Sequence, residues 1–183
     1  ILRLFRRLHQ ETRPADAAAD SEASEGEIQA YLDIGEDEGI LEEEDSELIQ
    51  SVVEFGDTVV REVMTPRTAI LALSEEATIG VLRDMMVHHR HSRIPIYRGD
   101  MDHIVGIAYI RHLLAHYSCG RENDPITDLI QPAYFVPESK RVSSLLKELQ
   151  EQGAHLAIVI DEFGGVAGLV TIEDLVEEIV GEI

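Results

Sequence analysis

Residues 57–183 contain one sequence unit twice, and this duplication constrains the fold more than any other feature of the chain. The clearest pair of segments is 106–112, Gly-Ile-Ala-Tyr-Ile-Arg-His, and 168–174, Gly-Leu-Val-Thr-Ile-Glu-Asp. Each segment follows an apolar stretch that predicts a strand, and each opens a stretch with helical spacing of apolar residues. A unit of about 60 residues is small for a core of its own. We therefore expect the two copies to pack their sheets together about a pseudo-twofold axis, which creates two equivalent clefts.

Apolar periodicity predicts the same element order, β-α-β-β-α, in both copies, and hence an α+β fold. In the first copy, residues 57–120, the predicted strands are 69–73, 93–97 and 104–109. In the second copy, residues 121–183, they are 133–136, 155–161 and 166–170. A helix with apolar residues on one face follows the first and the third strand of each copy. The glycine-led segments lie 62 residues apart, whereas alignment of Ile94 with Ile158 gives 64, so loops must absorb the difference.

The N-terminal part of the chain is strongly acidic, and the whole chain carries a formal net charge of −21. No Lys or Arg lies between Pro14 and Val60, where sixteen of the thirty-six acidic residues are found. We predict short acidic helices within residues 26–56. Their acids either solvate exposed helices or, around 42–45, form a surface for a divalent cation, although no recognisable ligand spacing is present there. Nucleic acid is not an expected partner, because phosphate contacts need clustered Lys and Arg.

Residues 1–25 are predicted to be a juxtamembrane segment and a linker. Residues 1–13 combine Leu and Ile with four Arg, as at the cytoplasmic flank of a membrane segment, and a plain surface helix explains them equally. Residues 15–26, rich in Ala, Asp, Ser and Glu, have the composition of a linker. No apolar run reaches the roughly 20 residues of a membrane span. The single Cys119 excludes an intramolecular disulfide.

The second copy carries a hydroxyl and a carboxylate, Thr171 and Asp174, at the predicted start of its last helix. One interpretation is a capping box, in which each side chain bonds the backbone N–H of the other residue. The other interpretation is a ligand site, because unpaired N–H groups and the positive end of the helix dipole attract phosphate. Thr171 would then donate to a phosphate or sugar oxygen, and Asp174 would accept both ribose hydroxyls. Gly168 lets the backbone approach closely.

Three further segments resemble the CorC/HlyC/CNNM-type family of magnesium and cobalt transport proteins. They are Gly56-Asp57 running into Arg61-Glu62-Val63-Met64-Thr65-Pro66-Arg67, then Ser92-Arg93-Ile94-Pro95-Ile96-Tyr97, and Asp161-Glu162-Phe163-Gly164-Gly165. The tandem β-α-β-β-α unit over residues 57–183 resembles a CBS-domain pair, or Bateman module. The combination of the duplicated unit with these segments is far more specific than any one of them.

The resemblance implies a cytosolic module at the cytoplasmic face of the cell membrane, which an N-terminal membrane domain precedes in the full-length protein. It implies that an adenine nucleotide, ATP or AMP, binds between the copies, that Mg²⁺ can accompany ATP at its phosphates, and that modules form homodimers. The nucleotide would control efflux of magnesium or cobalt. The alternative is a ligand-free dimerisation scaffold of the same transporter. An enzyme such as a nucleotide hydrolase is not expected, because no nucleophile with an adjacent base is recognisable.

The same resemblance implies which residues form the nucleotide site, because ribose-binding residues of one copy face base-binding residues of the other. The predicted site comprises Thr68, Ala69, Ser92, Ile94 and Pro95 around the base, Arg93 at the phosphates, and Thr171 and Asp174 at the ribose. Arg93 is equally well explained as a surface residue whose stem packs on its strand. No metal ligand is among the predicted site residues.

The mirror cleft departs from this pattern. Its counterparts of Thr171 and Asp174 are Tyr109 and His112, a bulky side chain and one that is usually neutral at pH 7. The residues expected to face them are Ala133, Tyr134 and Leu156. We predict that this cleft is empty or binds poorly.

A local cluster of histidines, His88, His89 and His91, admits two interpretations. Imidazoles suit transition metals, but adjacent helical residues point apart, so at most two of the three converge. Alternatively, the cluster marks a helix C-terminus, where His and Arg interact favourably with the dipole. His91 alternatively lies beside the nucleotide.

Overall fold

The computed structural model describes residues 17–117 and 120–181. The basic segment 1–13 and Cys119 therefore lie outside the described residues. The chain divides into two compact units, and the boundary between them falls after Val53. None of the described helices is both long enough and apolar enough to cross a lipid bilayer.

Two acidic helices form the N-terminal part, as predicted. They are α1 (Ala17–Asp37) and α2 (Glu43–Asp57). The stretch 15–26, predicted to be an irregular linker, is helical from Ala17 onward, because its Ala and Glu residues favour helix and no Pro interrupts them. The first turn of α2 carries Glu43, Glu44 and Asp45 at the positive end of the helix dipole. This placement supports the interpretation of the acids as helix-stabilising, solvated side chains.

The second unit contains the two copies of the repeat. Its strands are β1 (Thr65–Pro66), β2 (Leu73–Ser74), β3 (Arg93–Tyr97), β4 (Ile104–Tyr109), β5 (Ile130–Gln131), β6 (Tyr134–Pro137), β7 (Leu156–Ile160) and β8 (Val166–Thr171). Its helices are α3 (Val60–Val63), α4 (Ile79–His89), α5 (Ile110–Tyr117), α6 (Val142–Gln152) and α7 (Ile172–Val180), with 3₁₀ turns at Arg67–Ala69 and Ile126–Leu129. The predicted order is confirmed in both copies, since a parallel strand-helix-strand crossover precedes an antiparallel hairpin and a helix.

Each copy contributes a short leading segment to the sheet of the other copy. The two sheets have the strand orders β1-β8-β7-β6 and β2-β3-β4-β5. Strand β1, near the start of the first copy, pairs with β8 of the second, and β5, near the start of the second copy, pairs with β4 of the first. The residues just before these strands in the sequence also pack against the other copy. Val60 is buried in the core of the second copy, and Ile126 is buried in the core of the first. This reciprocal exchange, which the sequence did not predict, makes the pair approximately twofold symmetric.

Face-to-face packing joins the two copies, as predicted. A third hydrophobic core, distinct from the core of either copy, draws residues from both sheets. Its buried members are Ile104, Ile107, Leu156, Ile158 and Val166. Helix α5 packs against the core of the first copy through Leu113, whereas Leu114 is 65% exposed.

The first strand of the first copy is much shorter than predicted. The stretch 69–73 has the apolar character of a strand, yet pairing begins only at Leu73, which lies opposite Ile96. Ile70 packs against the core between the copies, and Leu71 packs against the core of the first copy. The apolar character of this stretch therefore indicates that its side chains are buried, but it does not indicate that the backbone pairs with another strand.

Strand pairing corrects the alignment of the two copies. Ile94 lies opposite Ala108 in one hairpin, and Ala157 lies opposite Val170 in the other. Because Ala108 and Val170 occupy the same place in the repeat, Ile94 corresponds to Ala157 and not to Ile158. A one-residue slip in a strand moves a side chain to the opposite face of the sheet, so this error changes which residues face the clefts.

The two crossover helices end differently, and the difference has a measurable cost. Arg90 ends α4 with φ 57°, in the left-handed region, where Gly153 ends α6 with φ 62°. A non-glycine residue there costs roughly 1 kcal/mol. We expect Arg90→Gly to raise the free energy of unfolding by about 1 kcal/mol and Gly153→Ala to lower it by about as much, as measured by urea unfolding. A loss of stability in Arg90→Gly would show that the arginine makes compensating contacts.

Candidate functional site

A cleft of about 370 Å³, hereafter the first cleft, is lined by residues of both copies. Pairing of β1 with β8 brings the turn at Arg67–Ala69 beside the start of α7, which follows β8 directly. The volume lies within the range of about 300–1,000 Å³ that is usual for ligand pockets. Six of the eight predicted site residues line this cleft: Ala69, Ser92, Arg93, Pro95, Thr171 and Asp174.

The other two predicted site residues lie elsewhere. The side chain of Ile94 is fully buried in the core of the first copy. Alternation along β3 directs Arg93 and Pro95 to the cleft and Ile94 to the opposite face, which corrects its assignment to the base wall. Thr68 is exposed in the 3₁₀ turn and does not line the cleft.

Thr171 and Asp174 form the capping box that one interpretation of the sequence predicts. The Thr171 N–H donates to Asp174 Oδ2 at 2.8 Å, and the Asp174 N–H donates to Thr171 Oγ1 at 3.2 Å. These bonds use one carboxylate oxygen and one lone pair of the hydroxyl. The second carboxylate oxygen and the hydroxyl proton take part in neither bond, so the cap and a ligand are compatible.

Three backbone N–H groups at the start of α7 are satisfied within the chain, which corrects the expectation that they are open to a phosphate. The Ile172 N–H donates to the His155 carbonyl oxygen at 3.2 Å. The N–H groups of Thr171 and Asp174 form the cap. Helix α7 therefore attracts an anion mainly through its dipole, and side chains must supply most of the hydrogen-bond donors.

An ion pair joins the two copies across the first cleft. Arg93 Nη1 on β3 lies 3.1 Å from Glu173 Oε1 on α7, and the arginine side chain is only 21% exposed. Partial burial acts to raise the pKa of Glu173, but the bond from its own N–H and the neighbouring Arg93 charge hold that pKa below its ordinary value. Arg93 is thus fixed at the cleft. Glu173 was not among the predicted site residues; its place between Thr171 and Asp174 indicates only that it lies near the cleft.

Apolar side chains line the remaining wall of the first cleft. They are Ile70, Leu71, Pro95, Leu156 and Leu169. An apolar slot that faces a few polar groups is the usual composition of a site for a small organic ligand. Thr65 and His91 complete the lining. In the corrected register, Leu156 is the counterpart of Arg93 in the second copy. It lines the first cleft and not the mirror cleft, where it was expected.

The mirror cleft is small. A cavity of about 130 Å³, hereafter the second cleft, is lined by Ser92, Arg93, Tyr109, Ile110, Arg111 and His155. Tyr109 takes the place of Thr171, and the Arg111 guanidinium carbon lies 4.7 Å from its ring centroid. The volume is well below the roughly 300 Å³ of an ordinary ligand pocket. It supports the prediction that a nucleotide binds poorly or not at all here.

Residues expected in the mirror cleft lie elsewhere. His112 does not line it. Ala133 packs against the core between the copies, and the Tyr134 hydroxyl donates to Glu148 Oε2 at 2.7 Å. The assumed alignment, one residue out of register in β7, accounts for the misplacement of Leu156.

The histidine cluster matches a helix end better than a metal centre. His88 and His89 lie in the last turn of α4, where positive charge is favoured. The rings of His89 and His91 stack with centroids 6.3 Å apart, and His91 lines the first cleft. Within residues 17–117 and 120–181, no group of three His, Cys, Asp or Glu is placed to hold a metal ion.

Comparison with known proteins identifies the repeat. A family profile described as the CBS domain matches residues 60–118 and 126–181, which is more than half of the chain. The chain belongs to the CBS-domain family. Its CBS pair is similar to the solved CBS domain of the bacterial CNNM/CorC family Mg²⁺ transporter, with a TM-score of 0.80 and 46% identity, covering 86% of this chain and 96% of that chain.

Two further relatives place the CBS pair in the CorC/CNNM family. The CBS domain of the bacterial CNNM/CorC family transporter in complex with ATP has a TM-score of 0.71 and 50% identity, covering 75% of this chain and 97% of that chain. The magnesium and cobalt efflux protein CorC of Salmonella typhimurium is 42% identical over 151 residues, which is 82% of this chain and 51% of that protein. The chain spans about half or less of the curated relatives that it matches.

Proposed function

We propose that this CBS pair binds an adenine nucleotide, ATP or AMP, in the first cleft and thereby regulates a magnesium and cobalt efflux protein. The observation that carries the proposal is the composition of the first cleft, where an apolar slot, a capping carboxylate and a bridging arginine meet within about 370 Å³. The ATP complex of a CBS domain with 50% identity supports the choice of ligand.

The lining of the first cleft offers a partner to each part of an adenine nucleotide. The apolar slot between Pro95 and Leu156 would take the adenine ring. Asp174 would accept ribose hydroxyls on the carboxylate oxygen that the cap leaves available, and Arg93 would donate charge-assisted hydrogen bonds to a phosphate. Arg93 would exchange its contact with Glu173 for the phosphate, and Mg²⁺ accompanying ATP would offset repulsion from the two carboxylates.

Regulation would follow from the fact that both copies line the first cleft. A nucleotide shifts the arrangement of the copies only if it binds one arrangement better than another. Exchange of the Arg93–Glu173 contact, which joins the copies, supplies such a difference. In the full-length protein, the CBS pair would form homodimers at the cytoplasmic face of the cell membrane. It would pass the change to an N-terminal membrane domain.

Calorimetric titration of the chain with ATP, ADP and AMP, each with and without Mg²⁺, tests the proposal. We expect saturable binding of one nucleotide per chain, because one cleft has the volume for it. Mg²⁺ should strengthen ATP binding more than AMP binding, because ATP brings more charge to the carboxylates. Absence of binding at millimolar nucleotide would refute the sensor function, and turnover of bound ATP would indicate an enzyme.

A ligand-free dimerisation scaffold is the second candidate function. One observation favours it: without a ligand, the capping box already joins Thr171 to Asp174 and an ion pair already joins Arg93 to Glu173. A scaffold would dimerise to the same extent with and without nucleotide. Sedimentation velocity in the two conditions separates it from a nucleotide sensor.

A further inference from the structure

The second cleft concentrates positive charge in a strongly acidic protein. Three of the six residues that line it, Arg93, Arg111 and His155, have basic side chains, and Ser92 and Tyr109 contribute hydroxyls. The whole chain has only 15 Lys and Arg against 36 Asp and Glu. None of the described lining residues is acidic. This composition predicts affinity for an anion.

The two arginines of the second cleft are held in position before any ligand arrives. Arg93 is largely buried and bonded to Glu173. The Arg111 guanidinium lies over the Tyr109 ring, and its Nε lies 3.4 Å from His112 Nε2. In the part of the chain that the structure describes, no carboxylate forms an ion pair with Arg111. A stacked guanidinium without a carboxylate partner keeps the donors on its two Nη atoms available for an oxyanion.

The volume of the second cleft limits what the anion can be. A cavity of about 130 Å³ corresponds to the liquid volume of roughly four water molecules. This space accommodates a tetrahedral oxyanion and excludes a nucleoside, which needs a pocket of about 300 Å³ or more.

We propose that the second cleft is a phosphate-binding site, in which Arg111 and Arg93 hold the phosphate oxygens and the Ser92 and Tyr109 hydroxyls add donors. Ser92 and Arg93 line both clefts, so the two sites are adjacent. The phosphate has two possible sources: the terminal phosphate of a nucleotide whose base lies in the first cleft, which rests on the proposed function, or free inorganic phosphate. In the first case, the second cleft is the element that distinguishes ATP from AMP.

Titration of the chain with inorganic phosphate, AMP and ATP, followed by amide chemical shifts, tests the site. The test variants are Arg111→Gln and Tyr109→Phe, the latter retaining the ring and removing only the hydroxyl. Arg61→Gln is the matched control, since Arg61 is exposed on α3 and lines neither cleft. Thermal unfolding of each variant establishes that it is folded.

We expect Arg111→Gln to weaken the binding of inorganic phosphate about tenfold, because one charge-assisted hydrogen bond is lost. Arg61→Gln should leave the affinity for inorganic phosphate nearly unchanged. If the nucleotide is the source, Arg111→Gln also weakens ATP binding about tenfold and does not weaken AMP binding. In that case inorganic phosphate competes with ATP and not with AMP. If free phosphate is the source, the ratio of ATP to AMP affinity stays the same in Arg111→Gln.

The inference is overturned if Arg111→Gln and Arg61→Gln have the same affinity for inorganic phosphate and also the same ratio of ATP to AMP affinity. Phosphate binding that depends on Arg111 in a chain that binds no nucleotide would refute the proposed function and support this site. Nucleotide binding with neither response would leave the proposed function standing and refute the phosphate site.

Discussion

Replacement of Gly168 by alanine is expected to lower the free energy of unfolding by about 2–4 kcal/mol. Gly168 lies opposite Pro66, where β1 crosses into the sheet of the second copy. A Cβ atom at this position would lie 2.6 Å from the Thr65 carbonyl oxygen and 2.7 Å from Met64 Sδ. Since the first of these atoms is backbone, relief of the clash requires the backbone of β1 or β8 to shift. Gly168 thus permits a close approach of the chain to itself.

The equivalent substitution Gly106→Ala is expected to have the same effect, because its Cβ would lie 2.5 Å from Ile130 Cγ2 and would clash with the Gln131 carbonyl oxygen. Gly56→Ala is the matched control. No atom lies within 4 Å of a Cβ added there, and alanine in a helix is favoured by about 0.5–1 kcal/mol. Thermal unfolding should show Tm values lowered by about 10 °C in the two sheet variants and not in the control. Equal, small shifts in all three would contradict the close packing.

Asp174→Ala is expected to weaken nucleotide binding about 100-fold, which corresponds to the loss of two charge-assisted hydrogen bonds to the ribose. The same change removes the cap from α7 and costs about 1 kcal/mol of stability. Asp174→Asn separates the two effects, because its amide oxygen still accepts from the Thr171 N–H. This variant should unfold close to the wild-type temperature and bind nucleotide about tenfold more weakly, as measured by calorimetry.

Glu62→Gln is the matched control for Asp174→Asn. Glu62 also caps a helix, since Oε2 accepts the Val59 N–H at 3.1 Å, and it lines neither cleft. Its substitution removes the same charge and should leave nucleotide affinity unchanged to within about twofold. Nucleotide binding to Asp174→Asn at wild-type strength would refute the assignment of the ribose to Asp174.

Long elements of the fold could be predicted with accurate bounds. Strands β3 and β4 match the predicted ranges residue for residue, because each is a short, nearly continuous apolar run beside polar turn residues. The two-residue strands β1 and β5 could not be predicted, since two residues have no periodicity. Strand β1 pairs with β8, 104 residues away from Thr65 to Leu169, and β5 pairs with β4 across the boundary between the copies, so only tertiary packing selects these partners.

The candidate site was predictable where the repeat supplied equivalent positions. Thr171 and Asp174, which line the first cleft, could be singled out because they place a hydroxyl and a carboxylate at the start of a helix in the repeat. Ile94 was misassigned because consecutive residues of β3 were placed on one wall, whereas successive side chains of a strand point to opposite faces of the sheet. Glu173 could not be recognised as the partner of Arg93, because the ion pair exists only when β3 and α7 of different copies meet.

The duplicated sequence was sufficient to establish a tandem α+β pair with unlike clefts, because hydrophobic periodicity and the identity of residues at repeat positions are local properties. The exchange of β1 and β5 between the sheets, the closure of the N–H groups of α7 and the basic second cleft depend on contacts between distant segments. Periodicity states which side chains are buried, but it does not state against which segment they are buried. The packing partners of these side chains are determined only when both copies fold into one unit. The geometry of both clefts is determined at the same time.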